Sequence, residues 1–185
     1  METSRNTGQD NILLQAEFII SVASSLAYEN IGVIAYSTEA HFVTKPGQPS
    51  NFSQFAQTLR TFNYTMGCKS NLGKAMTKAK EEPGLFTSSK SALIVAIIPA
   101  LKSGDDATIP ARELKDRNVT IIGVKLESVS YIPYSETFQI ITQLDNLQLL
   151  LPRTFAGLKT VVSTTRERIC QGLYLFQNNN FIRLP

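Results

Sequence analysis

The sequence predicts a doubly wound α/β domain, in which a mostly parallel sheet lies between two layers of helices. Residues 91–100, Ser-Ala-Leu-Ile-Val-Ala-Ile-Ile-Pro-Ala, form the longest uninterrupted apolar run. This run is too short for a membrane-spanning helix of about 20 residues. Its Ile and Val content is typical of a strand that is buried on both faces of a parallel sheet. Segments of strand and helix character alternate along the chain, and 185 residues are enough for one such domain.

The first part of the chain is predicted to hold a long helix and a hairpin. Asp10 or Asn11 can cap a helix that runs to residue 29. Its apolar residues recur at helical spacing, at Ile12, Ala16, Ile19, Ile20, Ala23, Leu26 and Ala27. Residues 31–36 and 40–44 have the composition of two strands that are joined by a tight turn.

The rest of the chain is predicted to alternate helices and strands. Ser50 or Asn51 can cap a short helix, a second helix follows at residues 71–80, and the apolar run at 91–100 is the central strand. The remaining elements are a helix capped by residues 103–106, a strand at 119–124, a helix that begins at Ser135 or Glu136, a strand at 147–151 and a last helix capped by Thr154.

Composition excludes several classes of partner. The net charge of +3 is small and the Lys and Arg residues form no dense block, so the sequence predicts neither nucleic acid nor an anionic membrane as a partner. Cys68 and Cys170 are far apart and lack metal-ligand spacing. We therefore expect two free or half-buried thiols rather than a disulfide framework, although the sequence leaves open whether they pair.

The sequence predicts no enzyme and no cofactor. His41 is the only histidine, it lies in the predicted hairpin, and no serine or cysteine motif accompanies it. The Gly-x-Ser-x-Gly elbow and the phosphate-binding glycine-rich loops are absent. Cys68, close to a predicted helix start, is interpreted as a structural or incidental cysteine.

Four segments resemble a known family through their order and spacing. They are residues 2–8 with the helix that follows, residues 31–37 (Ile-Gly-Val-Ile-Ala-Tyr-Ser), residues 67–76, and residues 92–96 with the helix and strand up to residue 124. Through them the chain resembles von Willebrand factor A domains, and most closely the N-terminal A modules in the long chains of type VI collagen. The resemblance implies a non-catalytic protein–protein interaction module of the extracellular matrix or cell-adhesion type.

The resemblance also implies a location for a divalent cation, the metal-ion-dependent adhesion site, at the carboxyl edge of the sheet. In the family, an Asp-x-Ser-x-Ser loop, a threonine and a second aspartate supply the hard oxygen ligands that suit Mg²⁺. Here Glu2, Ser4 and Asn6 fall at the three loop positions, Ser70 replaces the threonine, and Ile98 falls where the second aspartate would be. Because Ile offers no oxygen ligand, we expect a degenerate site without a bound metal.

We therefore expect a protein partner, such as a matrix collagen, to bind at this edge without a metal bridge. The expected contact residues are Ser4, Asn6, Ser70, Pro99 and Asp105. Asp105 and Asp106 together are interpreted as the N-cap pair of the helix that follows them, a position that the helix macrodipole favours.

The family's first strand, which is central in the sheet, should already have ended where this chain begins. Its absence would leave a slot beside the central strand, with unpaired backbone groups on both sides. We divide the chain into an A-like domain at residues 1–170, truncated at its first strand, and a tail at 171–185. One hypothesis is that residues 172–176, Gly-Leu-Tyr-Leu-Phe, fill the slot as a parallel strand. The other is a disordered or loosely docked tail.

Residues 1–8 lack the apolar core of a signal peptide. The location of the protein is therefore inferred from the resemblance alone. Asn51, Asn63 and Asn118 each begin an N-glycosylation acceptor tripeptide, which matters only in the secretory pathway. The preferred interpretation is an extracellular matrix module. The alternative is a truncated product, intracellular or unstable, with no adhesive role.

Overall fold

The computed structural model of the chain describes residues 1–82, 93–98, 104–117, 119–126 and 149–178. Its helices are α1 (Gln9–Ala23), α2 (Phe52–Thr61), α3 (Leu72–Glu81), α4 (Thr108–Asp116) and α5 (Val162–Asn178). Its strands are β1 (Val33–Tyr36), β2 (Ala40–Thr44), β3 (Leu93–Ile98), β4 (Thr120–Lys125) and β5 (Leu149–Leu150). Short 3₁₀ helices lie at Tyr28–Asn30 and Ala156–Val161. The observed elements follow the predicted order, and the helix predicted to begin at Ser135 or Glu136 lies outside the described residues.

The described strands form two sheets. β1 and β2 pair as an antiparallel hairpin, in which Tyr36 lies opposite Ala40. β3, β4 and β5 are parallel and lie in that order. β4 therefore covers one edge of β3, and the other edge of β3 has no strand partner within the described ranges.

Residues 1–4, the N-terminal segment, add to the free edge of β1 in the parallel direction. The Met1 amine donates to the Ile34 carbonyl at 2.8 Å. The Tyr36 amide donates to the Met1 carbonyl at 3.0 Å, and the Thr3 amide donates to the Tyr36 carbonyl at 2.7 Å. Residues 1–4 form isolated bridges and no strand of their own, so the expectation that the first strand has already ended at Met1 stays a prediction. These residues still pair with β1, because buried backbone groups require hydrogen-bond partners.

The helices cover the sheets in two layers. One core cluster contains α1 and α2 residues such as Ile12, Phe55 and Leu59, together with Ile97 of β3. The other contains α3 and α4 residues such as Leu72, Met76, Ala111 and Leu114, together with Ile121 of β4. Apolar side chains are thus buried on both sides of β3 and β4, which confirms the doubly wound α/β prediction.

Two predictions about the first two helices have different outcomes. Asn51 caps α2 as predicted, since its side chain accepts the Gln54 amide at 2.8 Å. α1 begins at Gln9, so neither Asp10 nor Asn11 is its cap, and it ends at Ala23 rather than at residue 29. The hydroxyl of Ser24, the residue after its end, bonds to the Ser21 carbonyl at 2.9 Å, a local bond of the kind that competes with helix continuation.

The tail prediction requires a correction. Residues 172–176 lie within α5, so the hypothesis that they fill a slot in the sheet as a strand is wrong. A helix satisfies the backbone groups of this run from within the segment, whereas a strand needs a partner on its edges. The proposed boundary between residues 170 and 171 falls inside this helix, and residues beyond 178 lie outside the described ranges.

Candidate functional site

The loops that follow the N-terminal segment and β1 meet two further loops at one end of the molecule. We call this surface the loop edge; it consists of residues 4–7, 37–39, 66–71 and 104–106. Ser4 pairs with Gly67 in the parallel sense, and the Gly104 amide donates to the Ser70 carbonyl at 2.6 Å. A side chain at position 67 would begin 2.5 Å from the Thr38 hydroxyl, so this close approach of two loops requires glycine.

Glu2, at the first of the expected metal positions, turns its side chain into the loop that follows it. The residue is 1% exposed. Its Oε1 accepts the Ser4 amide at 2.9 Å, and its Oε2 accepts the Thr7 hydroxyl. The backbone of Glu2 is held by Gln15 of α1, which accepts its amide at 2.8 Å and donates to its carbonyl at 2.9 Å. Both carboxylate oxygens of Glu2 therefore stabilise the conformation of the loop.

Asp105 and Asp106 bind amides at the starts of two different helices. Asp105 accepts the amides of Gly73 and Lys74 at 2.9 and 2.8 Å, so it caps α3 from another segment of the chain. Asp106 accepts the Thr108 amide at 2.8 Å at the start of α4, and this hydrogen bond is the main cause of its lowered pKa. The predicted N-cap pair is therefore wrong: Ala107 is the N-cap residue of α4, Asp106 precedes it and accepts the first amide of the helix, and Asp105 stabilises the neighbouring helix.

Tyr36 links the two sheets beneath the loop edge. Its hydroxyl donates to the Ile97 carbonyl at 2.7 Å and also bonds to the Ser70 side chain. Burial, and after it the charge of Glu2, raises the pKa of Tyr36 well above its ordinary value. The phenol therefore remains protonated and acts as a structural donor.

The expected contact residues differ in exposure. Asn6 is exposed and Asp105 is half-buried. Ser4 and Ser70 are 3% and 9% exposed, so they support the loops and do not form the contact surface as expected. Pro99 lies outside the described residues. Ile98, expected at the last metal position, ends β3 and is half-buried.

Two polar residues that organise this site were not predicted from the sequence. Gln15 is fully buried and falls on the apolar stripe of α1. A polar residue within that stripe was the sequence signal that could have identified its role. Asn71 is also buried; its Nδ2 donates to the Thr38 carbonyl at 2.9 Å, while its Oδ1 has no hydrogen-bond partner and lies against Gly104. No signal in the sequence distinguished Asn71 from an ordinary helix cap.

Comparison with known proteins identifies the family. Residues 1–149 match the family model of the von Willebrand factor type A domain. The chain belongs to this family. A comparison of this A domain with curated proteins returns no match.

Solved structures share the fold of this A domain. Proximal thread matrix protein 1 from the mussel byssus aligns with a TM-score of 0.77 at 14% identity, over 92% of this chain and 46% of that one. The A domain thus spans about half the length of that protein, which is also known with a zinc-occupied MIDAS motif, the adhesion site described above. An aerotolerance-related membrane protein from Bacteroides fragilis aligns with a TM-score of 0.66 at 13% identity, over 91% of this chain and 96% of that one.

The residues of this A domain do not fit the divalent cation of the family's adhesion site. The Glu2 carboxylate is bound within its own loop, the Asp105 carboxylate is bound to α3, and Ile98 has no side-chain oxygen. Across the described ranges, no group of three or more His, Cys, Asp or Glu side chains could hold a metal ion. A hard cation would have to displace internal hydrogen bonds before it gained its charged ligands.

The groups that could serve nucleophilic catalysis are dispersed in the part of the chain that the structure describes. His41 is exposed on β2, and it has no hydrogen bond to a serine or cysteine there. Cys68 at the loop edge and Cys170 on α5 are exposed, free thiols. Within the described ranges, no helix combines the length and apolar character that a membrane span requires.

Proposed function

We propose that this A domain is a non-catalytic protein-interaction module that binds its partner at the loop edge without a metal bridge. The observation that carries the proposal is the use of both nearby carboxylates, Glu2 and Asp105, to tie the loops to the body of the domain. In the family's metal-dependent sites such groups hold an ion. Here they stabilise a preorganised surface, which lowers the entropic cost of binding.

The chemistry of this surface supports a polar protein partner. Arg5, Asn6 and Lys69 are exposed at the loop edge, and the backbones of Arg5 and Lys69 are held by Gly67 and Thr38. Two cationic side chains on a fixed backbone suit carboxylates on the partner, which they would steer and orient. The partner class we propose is a matrix protein such as a collagen.

Binding to immobilised type VI collagen, measured in Mg²⁺ and again in EDTA, tests this function. We expect equal affinity in the two conditions, and a loss of about tenfold in Lys69→Glu, which reverses one rim charge. Lys159→Glu is the matched control, because Lys159 is exposed on a 3₁₀ helix that is not among the residues of the loop edge. Abolition of binding by EDTA would show a metal bridge, and equal binding by Lys69→Glu would exclude the loop edge.

An extracellular location is part of the proposal. Asn51 and Asn63, each in an acceptor tripeptide, are exposed, whereas Asn118 lies outside the described residues. Glycan attachment at Asn63 in the protein secreted by its native cells would support this location. An unglycosylated protein retained inside those cells would contradict it.

A further inference from the structure

Two residues of β2 direct their backbone groups away from β1, the strand with which β2 pairs. The Ile34 carbonyl and both backbone groups of Tyr36 bind the N-terminal segment on the far side of β1. Opposite residues of an antiparallel pair direct their backbone groups either towards each other or both away, and Phe42 lies opposite Ile34 while Ala40 lies opposite Tyr36. The amides and carbonyls of Ala40 and Phe42 therefore point to the outer edge of β2, where no described residue pairs with them.

This outer edge of β2 is complementary to the same edge of a second copy. Two edge strands that meet about a two-fold axis run antiparallel, and every contact between them occurs twice. With the axis at His41, Ala40 of each copy lies opposite Phe42 of the other, and each of these pairs can exchange both of its hydrogen bonds. The small side chain of Ala40 then faces the large ring of Phe42, and both residues are only half-buried in the single chain.

The Phe42 end of the outer edge carries an unbalanced positive charge. The Nζ atoms of Lys45 and Lys78 lie 5.0 and 5.6 Å from the centroid of the Phe42 ring. Glu82 forms an ion pair with Lys45 at 2.8 Å, whereas Lys78 forms no ion pair with a described residue. A second copy that covers Phe42 would therefore gain from a carboxylate at this end.

The Ala40 end of the outer edge supplies such a carboxylate. Glu39 comes directly before Ala40, its side chain is 60% exposed, and it contacts Lys74 of α3 at 2.6 Å. Lys74 lies about one turn before Lys78, so α3 and β2 run side by side in the same direction. Antiparallel pairing brings the Phe42 end of one copy to the Ala40 end of the other, and Lys78 of each copy then lies near Glu39 of the other.

We propose that β2 pairs with β2 of a second copy about a two-fold axis at His41, so that the A domain forms a symmetric dimer with one continuous sheet across the contact. The contact pairs Ala40 with Phe42 and Lys78 with Glu39, each twice. It covers a strand edge that would otherwise be exposed to indiscriminate pairing. Because the paired segment is short, the dimer is weak and its population depends on the protein concentration. The dimer does not depend on the proposed function, and it presents two loop edges to a partner with repeated sites.

Exchange of the two charges tests the dimer. Lys78→Glu places a carboxylate near Glu39 of the other copy, and Glu39→Lys places an ammonium near Lys78, so either variant alone should dimerise at least about tenfold more weakly than the unchanged chain. An equimolar mixture of the two variants should dimerise as the unchanged chain does, because both of its cross-contacts then join Glu to Lys. Sedimentation velocity of the 185-residue chains at concentrations up to about 1 mM measures these equilibria. An unchanged chain that stays monomeric, variants that dimerise normally, or a mixture that stays monomeric would overturn the proposal.

Variants of Ala40 test the backbone pairing. Ala40→Pro removes the outward amide at the first residue of β2, where proline is tolerated, and Ala40→Ser keeps that amide. Dimerisation should be at least about tenfold weaker in Ala40→Pro than in Ala40→Ser, and equal dimerisation would contradict pairing at this edge.

A cross-link at the axis gives an answer that does not require Ala40→Pro to fold. His41 is exposed and lies opposite itself in the dimer, as a pair without hydrogen bonds whose Cα atoms are about 4.5 Å apart, which is within the range of a disulfide. In a chain with Cys68→Ser and Cys170→Ser, His41→Cys should form a covalent dimer under mild oxidation. Gln57→Cys in the same background is the control, because Gln57 is exposed on α2, and equal rates of cross-linking in the two chains would overturn the proposal.

Discussion

In the hairpin half of the molecule, β1 gains the N-terminal segment on its free edge, and Gln15 binds the outward backbone groups of Glu2. In the three-stranded half, the one hydrogen bond that the described residues give to the free edge of β3 comes from the Tyr36 hydroxyl. In the first half, the outward backbone groups next to the loop edge therefore have hydrogen-bond partners. In the second half, the backbone groups of Leu93 and Val95 on the free edge have none among the described residues. The difference shows that individual side chains can satisfy single backbone groups of a sheet edge, but that a whole edge needs a strand.

The largest effect on the free energy of unfolding is expected from the Met1 amine, which is buried in the hairpin half. Burial lowers the pKa of the Met1 amine from 8.0 to about 5. Between these pH values the unfolded chain binds a proton that the folded chain does not, so stability increases as pH rises from 5 to 8, by at most about 4 kcal/mol. Urea unfolding of the 185-residue chain across this range measures the increase. N-terminal acetylation removes the amine, and an undiminished increase in the acetylated chain would contradict the assignment.

Gln15→Leu should remove the two hydrogen bonds by which Gln15 binds the backbone of Glu2 in the hairpin half. The substitution leaves the buried amide and carbonyl of Glu2 without partners, and we expect a loss of about 2–4 kcal/mol in the free energy of unfolding. Gln57→Leu is the matched control, because Gln57 is exposed on α2, and its effect should stay within about 0.5 kcal/mol. Urea titration of both variants measures the difference. Similar stability of the two variants would show that the hydrogen bonds of Gln15 do not stabilise this sheet edge.

Tyr36→Phe should have the smallest effect and should act on both halves. Loss of the hydroxyl leaves the Ile97 carbonyl unpaired and should cost about 1–1.5 kcal/mol. Tyr64→Phe is a control within the hairpin half, since the Tyr64 hydroxyl donates to the Leu59 carbonyl at 2.6 Å and its loss should cost a similar amount. Only Tyr36→Phe should accelerate amide exchange in β3. Faster exchange there in both variants would show that the effect is global and that Tyr36 does not specifically link the two sheets.

Much of the fold was predictable because it depends on local patterns. The β2 bounds at residues 40–44, the Asn51 cap of α2 and the alternation of helices and strands follow from periodicity and turn chemistry. The end of α1 was less predictable, since the competing Ser24 hydrogen bond is a weak local signal. The candidate site was predictable in position only: the sequence placed Glu2, Ser70 and Asp105 at one edge, but it did not show which oxygens are bound internally.

By itself the sequence determined the fold class and the layering of apolar residues, because residue type and spacing fix these properties, and its resemblance to A domains implied the loss of the oxygen ligand at Ile98. Only the tertiary structure decided that residues 172–176 are helical, that the N-terminal segment pairs with β1, and that Gln15 and Tyr36 replace strand contacts. These outcomes depend on which unsatisfied backbone groups lie within hydrogen-bond distance of one another. Such distances exist only once segments far apart in the chain have packed together.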